Sequence, residues 1–500
     1  MKILFIQPPS NILANRRERK FAVPPIGLAM LAAVCEKEGH EIKIFDAMLE
    51  GYDIETFVRD DKFIRFGSSV EEIKKVIEDF KPDVVGIEHL QTYKTHEVNE
   101  TIDTVKEVSP EIITIAGGPH PSAVPHISMK NKNLDYAMVG DSENSILQFL
   151  KALKDKSKLP EVDGLVWREN GEIIVNPKKY YLKDIDDLPF PAYHLMDIKG
   201  YGKLGIGIGV YKTRTYIPLL TSRGCPARCD FCPHTNVTGP KMRFRSLDSI
   251  IEEIKLLKSN YNVTEFQIID YNFMANVPRV KEFCRRLVKE NLNIYWSIPH
   301  GMQIKKFDEE LVELFSSSGM DQFYLPIESC NQEFLKTDHF KGKDVALKKT
   351  MEVIKMGRKY NFKIAGFFQI GYVTETLQDM RNTIEFAKSL DIDRACFFIS
   401  TPLPGTPYFE ECKRKGLFIP DLDLSWLRYA KGNLITENFT PFHVEELRHR
   451  GWEEFELSRF RTVKHGVSVR QIEDGLPVIE KQRLNPTEEI YADCPTSCPI

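Results

Sequence analysis

Three cysteines on one short loop constrain this chain more than any other feature. Cys225, Cys229 and Cys232 lie in TSRGCPARCDFCP (Thr221–Pro233) with C-x3-C-x2-C spacing, directly after the β-type run Thr215–Leu220. Three thiolates so close together can hold three irons of a [4Fe–4S] cluster, which is ligated through cysteine sulfur. No fourth protein ligand is supplied nearby, so one iron is left open for a small molecule. The plain alternatives are a zinc knuckle or three incidental thiols. Zinc sites pair C-x2-C with a second Cys/His pair about fifteen residues on, and only His234 follows here. The spacing therefore favours a catalytic cluster on a loop that leaves a strand.

With Phe231 in its aromatic slot, C-x3-C-x-aromatic-C resembles the signature of radical S-adenosylmethionine enzymes. The resemblance implies that Cys225, Cys229 and Cys232 are the metal ligands and catalytic centre. It also implies that S-adenosylmethionine chelates the open iron, that reductive cleavage gives a 5′-deoxyadenosyl radical, and that Phe231 lies beside the adenine.

The totals fit such an enzyme. A chain of 500 residues exceeds a single core and implies two to four domains. Its formal net charge of −4 argues against a nucleic-acid binder, which carries a basic stripe. No apolar run reaches the about eighteen residues that span a bilayer. The start, MKILFIQPPSN, reads as a strand and turn rather than a signal peptide. Ten cysteines without an export signal point to a reducing cytoplasm.

Residues 1–153 alternate strand runs with amphipathic helices, the pattern of a doubly wound parallel sheet. The expected strands are Lys2–Gln7, Glu41–Phe45, Asp83–Ile87, Ile112–Ala116 and Tyr136–Val139. Ligands in such sheets bind beyond the carboxyl ends of the strands, where Gly117 and Gly118 can admit a close approach. Pro24–Ala47, Ile115–Pro125 and Asp135–Glu143 are similar to the cobalamin-binding domain of B12-dependent radical S-adenosylmethionine enzymes. By that resemblance Gly117, Gly118, Pro119, His120, Gly140 and Glu143 are cobalamin-binding candidates. Gly140-Asp141-Ser142-Glu143 departs mildly from the usual Gly-Glu-Gly-Glu. No Asp-x-His-x-x-Gly occurs, so no histidine of that type is expected under cobalt. His89, Gln91, Tyr93 and His96 are lower-face candidates by placement alone, and a solvated loop is the plainer reading.

Residues 154–210 read as a connector, with a hairpin over Asp163–Pro177 turned at Glu169-Asn170-Gly171. Six further strand-like runs follow within residues 211–415: Thr215–Leu220, Glu265–Asp270, Asn293–Ile298, Gln322–Ser329, Lys363–Gly371 and Arg394–Thr401. They predict a partial (β/α)6 barrel whose site lies at the carboxyl ends of its strands, with Asp248 capping the first helix.

Asp270-Tyr271-Asn272-Phe273 looks like the family's Asp-Asp-x-Phe, Pro326-Ile327-Glu328-Ser329 like Ile-Glu-Ser, and Thr401–Pro407 like Pro-x-Pro-Gly-Thr. These make Asp270, Asn272, Glu328, Ser329, Pro404 and Gly405 candidates for binding S-adenosylmethionine. An Asx turn is the plain alternative for the first segment. After the fifth strand Tyr372-Val373-Thr374 break the family's Gly-x-Pro-Gly-Glu-Thr, and Glu375-Thr376 read as a helix cap rather than catalytic groups. Arg223, Arg228, Lys241, Arg243 and Arg245 either face the cofactor carboxylate or form a solvated face. Cys284, Cys330, Cys396 and Cys412 read as structural thiols. Residues 416–500 read as helical, with Val444–Phe460 closing the open side of the barrel; Cys494 and Cys498 end a frayed terminus.

The resemblance spans nearly everything to about residue 410. It implies a cobalamin-dependent radical S-adenosylmethionine C-methyltransferase, with methylcobalamin as methyl donor and a small-molecule or peptide substrate. A flavodoxin or ferredoxin is the kind of reductant implied. The alternatives are a cobalamin-binding radical cyclase or ring-rearranging enzyme, a methylthiotransferase, and a non-enzymatic cobalamin sensor. A methylthiotransferase would need three N-terminal cluster cysteines where only Cys35 stands, and a sensor leaves the cysteine loop unexplained.

Overall fold

The computed structural model describes residues 1–15, 18–204, 212–213, 215–337, 340, 345 and 347–462. Cys494, Cys498 and the rest of the tail beyond 462 lie outside the described residues.

Among the described residues ten strands precede the barrel: β1 (Lys2–Gln7), β2 (Ser10–Leu13), β3 (Glu41–Asp46), β4 (Glu55–Val58), β5 (Phe63–Phe66), β6 (Val84–Glu88), β7 (Ile113–Gly117), β8 (Tyr136–Met138), β9 (Leu165–Glu169) and β10 (Glu172–Val175). Seven form one sheet in the order β10-β9-β8-β7-β6-β1-β3. β3, β1, β6, β7 and β8 run parallel. Side chains alternate across a strand, and β1 shows why this sheet is buried twice over. Its Ile3 and Phe5 pack with Leu28 and Val34 on one face, while Leu4 and Ile6 pack with Ile73, Ile77 and Ile102 on the other.

The hairpin expected in the connector forms, but as the edge of this same sheet. β9 pairs antiparallel with β8, and its Trp167 and Val166 point into the two opposite cores. Asn170 (φ 51°) and Gly171 (φ 86°) make the turn, the positive-φ pair that suits a two-residue hairpin. A second sheet, β2-β5-β4, is all antiparallel and is absent from the sequence reading. Residues of β4 are mostly exposed, so that strand lacks the apolar alternation that would mark it.

The barrel strands are β11 (Tyr216–Leu219), β14 (Glu265–Ile268), β15 (Tyr295–Ser297), β16 (Gln322–Glu328), β17 (Lys363–Ile370) and β18 (Arg394–Ile399). Between the first two lies a short antiparallel ribbon of β12 (Ser222–Arg223) and β13 (Arg243–Phe244). The six form two parallel sheets, β11-β14-β15 and β16-β17-β18, joined by a parallel bridge from Trp296 to Met320. Alternate residues such as Ile217, Phe266, Trp296, Phe323 and Phe397 pack outward with the helices. Tyr324, Ala365, Phe367, Cys396 and Phe398 form a separate inner cluster. The first barrel helix, Leu247–Tyr261, is capped by Ser246, whose side chain accepts from the Ser249 amide; Asp248 sits in the first turn instead.

Beyond β18 the chain returns to the N-terminal domain. Trp426 packs on Phe63 with ring centroids 4.7 Å apart. The buried Arg428 reaches Glu18 Oε2 at 2.6 Å and Asn11 Oδ1 at 2.5 Å. The last described helix, Pro441–Thr462, lies along β18, where Arg448 Nε donates to the Phe397 carbonyl. It covers the flank of the barrel at β18, the side that the sequence assigned to it. No helix among the described residues is long and apolar enough to cross a membrane.

Candidate active site

The cysteine loop begins where β11 ends and is fixed from below by Asp270. That carboxylate, at the end of β14, accepts from the Thr221 amide (2.7 Å), Thr221 Oγ1 (2.6 Å) and Ser222 Oγ (2.6 Å). Both of its oxygens are engaged by the start of the cysteine loop, so Asp270 anchors that loop. Asn272 does reach the site: its Nδ2 lies 3.7 Å from Cys225 Sγ. His234, unassigned in the sequence reading, places Nδ1 3.2 Å from Cys232 Sγ and Nε2 3.1 Å from the Cys225 carbonyl.

The cysteines divide by environment. Burial pushes Cys35, Cys284 and Cys412 up to about 12, so these are protonated structural thiols. Burial also pushes Cys225 up, but His234 and the Ala227 amide outweigh it and hold the thiol below its ordinary range. A readily formed thiolate is what an iron ligand needs. Among the described residues no three His, Cys, Asp or Glu side chains converge on one point. A four-iron cluster takes one thiolate per iron and needs no such convergence.

Glu328 ends β16 at φ 66°, buried, where the register with β17 shifts. A non-glycine residue held there costs about 1–3 kcal/mol, and such outliers gather at functional sites. Ser329 Oγ is engaged by Thr383 Oγ1 (3.3 Å) and the Asn331 amide (3.1 Å). Phe231 packs on Phe340 at 5.5 Å. Pro404-Gly405 reach the same rim: the Gly405 carbonyl accepts from Asn236, just after the cysteine loop. A Cβ on Gly405 would sit 2.7 Å from the Ala123 carbonyl of the N-terminal domain. Tyr271 keeps 47% of its surface open, yet burial raises its phenol well above the ordinary range.

On the N-terminal side the carboxyl edge of the sheet gathers Gly117, Gly118, Pro119 and His120. A Cβ on Gly117 would meet nothing, whereas one on Gly118 (φ 117°) would strike the His89 carbonyl at 2.9 Å. His120 stacks on His89 at 4.0 Å. Burial takes His120 down to about 4 and His89 well below the usual imidazole range, so both rings are neutral at pH 7. The solvated-loop reading fails for His89, which is buried, and for Tyr93, which lies under the Arg428 guanidinium at 4.4 Å. His96 alone is a surface group, paired with Asp423 at 2.8 Å.

Glu143 and Gly140 lie against the barrel. Both Glu143 oxygens face the Arg223 guanidinium, with Nη1 at 3.1 Å from Oε2 and Nη2 against Oε1. Asp141 Oδ2 sits 3.2 Å from Arg223 Nη1 and 2.8 Å from Arg243 Nη2. The Asp141 amide donates to the Val237 carbonyl, and a Cβ on Gly140 would lie 3.1 Å from that same oxygen. Residues 140–143 are thus the joint between the sheet and the cysteine loop, their polar groups engaged by the barrel. Arg223, Arg243 and Arg245, the last paired with Glu253 at 2.5 Å, are buried in this and neighbouring ion pairs. They are not a solvated face.

The residues present fit the implied groups. The cluster finds a depressed thiol with nitrogen donors beside two of its sulfurs. Cobalamin finds a glycine open to space, with His120 Nε2 and Gln91 Oε1 buried nearby and without a partner among the described residues. Buried polar atoms are rarely left so.

Known proteins agree. Residues 12–150 match the B12 binding domain family and residues 219–387 the radical SAM superfamily. The chain is 30% identical over 460 residues to the cytidylyl-2-hydroxyethylphosphonate methyltransferase of Streptomyces wedmorensis, covering 86% of this chain and 85% of that one. It is 25% identical over 417 residues to the anaerobic magnesium-protoporphyrin IX monomethyl ester cyclase of Rubrivivax gelatinosus, covering 82% and 70%. In fold it matches the radical S-adenosylmethionine methyltransferase TsrM of Kitasatospora setae, with a TM-score of 0.69 at 15% identity over 98% of this chain and 93% of that one. The chain is an enzyme of the cobalamin-binding radical S-adenosylmethionine family, in the company of its B12-dependent methyltransferases, and its cofactors are a [4Fe–4S] cluster, S-adenosylmethionine and cobalamin.

Proposed function

We propose that the chain is a C-methyltransferase acting on an unactivated carbon of a small-molecule or peptide substrate. The observation that carries this reading is the joint at residues 140–143. It turns the carboxyl edge of the N-terminal sheet toward the barrel strand ends that bear the cysteine loop, so both cofactors can address one substrate. When bound, the cluster with S-adenosylmethionine supplies a radical that removes a hydrogen atom, and cobalamin supplies the methyl group.

The chain's own residues have distinct tasks. Cys225, Cys229 and Cys232 hold the irons, while His234 and Asn272 flank the sulfurs of Cys232 and Cys225. Glu328, on its strained backbone, and the Pro404-Gly405 rim contact S-adenosylmethionine, and Phe231 lies against its adenine. Gly117, Gly118 and the neutral His89–His120 stack receive cobalamin. The Trp426–Arg428 strap ties the C-terminal segment to the N-terminal domain through Phe63, Glu18 and Asn11. A flavodoxin or ferredoxin in a reducing cytoplasm is the proposed electron source. The cyclase of Rubrivivax gelatinosus supports a second reading, ring formation without methyl transfer.

The test is anaerobic turnover of the reconstituted protein with hydroxocobalamin, S-adenosylmethionine and a strong reductant, beside Cys225→Ala. Mass spectrometry should find 5′-deoxyadenosine and S-adenosylhomocysteine, the former lost in the variant. Deoxyadenosine alone, with cobalamin bound, would replace methyl transfer by the second reading. Failure to bind iron would sink both.

A further inference from the structure

After the fifth barrel strand the chain reads Tyr372-Val373-Thr374 where the family pattern Gly-x-Pro-Gly-Glu-Thr has x-Pro-Gly, and nothing in the proposed reaction uses this tyrosine. Its surroundings do. Tyr372 is completely buried, and its hydroxyl donates to Asp230, 3.3 Å from Oδ1 and 3.2 Å from Oδ2. Asp230 stands between two of the cluster cysteines, Cys229 and Cys232. The ring of Tyr372 stacks on Tyr408 at 4.3 Å and 11°, and the Tyr408 amide donates to the Asp230 carbonyl at 3.1 Å. The Tyr372 amide is itself held by Glu375 Oε2 at 2.8 Å. Asp230 is therefore gripped by its side chain from the end of β17 and by its backbone from the helix Pro407–Arg414.

We propose that Tyr372 is a positioning residue that clamps the cysteine loop through Asp230 and sets the reduction potential of the cluster. The inference rests on the reading of Cys225, Cys229 and Cys232 as cluster ligands. The physical argument is one of charge. Cluster potentials respond to net charge and hydrogen bonding around the sulfurs. A carboxylate next to Cys229 and two residues from Cys232 in the loop disfavours adding an electron, and a hydroxyl donating to it draws off part of that charge. The ring stack fixes where the hydroxyl sits, so the donation is part of the fold.

Two substitutions then act in opposite directions. Tyr372→Phe keeps the ring and removes the donor, leaving the carboxylate's charge unshared, so the cluster becomes harder to reduce. Asp230→Asn removes the charge, so it becomes easier. Tyr408→Phe removes a hydroxyl from the same stack that does not bond Asp230, and leaves the potential unmoved.

The measurement is a reductive titration of the three holoenzyme variants and the wild type, following the reduced cluster by electron paramagnetic resonance with iron counted per chain. Each active variant should change the reduced-to-oxidised ratio at a fixed poise by about tenfold, which is about 59 mV for one electron. Shifts of Y372F and D230N in the same direction, or potentials equal to wild type with full iron, overturn the proposal. If Y372F loses iron while Y408F keeps it, the potential of D230N decides alone, and an unshifted D230N overturns it. A wild-type chain that binds no iron would instead remove the cluster reading, which the iron count reports separately.

Discussion

Glu143→Ala should be among the most damaging single substitutions outside the cysteines, and its cost follows from the joint. The side chains of Arg223, Glu143, Asp141 and Arg243 expose 5–9% of their surface. Truncating Glu143 leaves Arg223 buried with, among the described residues, one remaining carboxylate, Asp141 at 3.2 Å, which Arg243 already shares, and a weak contact to the Met30 sulfur. Removing one partner of a buried pair costs about 3–5 kcal/mol, chiefly because the other charge stays in a poor medium. For units of this size each kcal/mol moves the melting point by about 2–4 °C, so a loss of about 6–20 °C is expected. A thermal melt of the anaerobic protein at pH 7.5 reads it, with a paired apolar replacement, Glu143→Leu with Arg223→Met, as the control. Such replacements of whole buried pairs are often near neutral, so the pair should recover most of the loss. A Glu143→Ala protein melting within about 2 °C of wild type would refute the reasoning, because it would mean that the joint is hydrated in solution.

Glu375 tests the opposite case, a buried carboxyl whose proton belongs to the fold. Burial raises it to about 8 against about 4.3 when unfolded. The folded state therefore holds a proton that the unfolded state has lost between those values, and stability falls as pH rises through that window. Glu375→Gln, neutral throughout, should melt higher than wild type at pH 8.5 and flatten the profile from pH 5 to 8; parallel profiles would refute the assignment. Arg428→Ala and His96→Ala separate a buried strap contact from a surface one. Arg428, 2% exposed and bound to Glu18, should cost about 3–5 kcal/mol and speed trypsin cleavage at Lys431. The half-exposed pair of His96 and Asp423 should cost less than about 1 kcal/mol and leave cleavage unchanged. Equal effects would show that the strap is not anchored through Arg428.

The long parallel strands were legible because both their faces are apolar, so a run such as Lys2–Gln7 needs no neighbour to declare itself. Local turn chemistry was equally legible: Asn170-Gly171 marked the hairpin correctly. The sheet that this hairpin joins was not, because pairing to β8 is settled by contacts across two cores. Exposed β4 escaped for want of a pattern, and the helix at Leu247 is capped by Ser246 because its side-chain oxygen, two residues before Asp248, accepts from the Ser249 amide. In the site, motif spacing found the cysteines and placed Glu328 at a strand end. The contacts of Asp270 with Thr221 and Ser222, and of Glu143 with Arg223, were not legible, because a carboxylate looks the same in sequence whatever it faces. The Tyr372–Asp230 contact spans 142 positions, a distance over which no local pattern operates.

The departure at Asp141-Ser142 then acquires a reason. Where the family pattern has the longer glutamate, the shorter aspartate here sets one oxygen within 3.2 Å of Arg223 and 2.8 Å of Arg243. With Glu143 the set holds two cations and two anions, and a buried set must stay balanced because an uncompensated charge costs several kcal/mol. Asp141 and Glu143 belong to the N-terminal domain, and Arg223 and Arg243 to the ribbon that frames the cysteine loop. Sliding one domain against the other by a single position would leave a charge unpaired. The balance therefore fixes a register, the best attested use of buried ion pairs. Two cofactors carried by different domains can serve one substrate atom only if the domains hold a fixed relation, and a closed charge set at their joint provides one that neither domain's own core can.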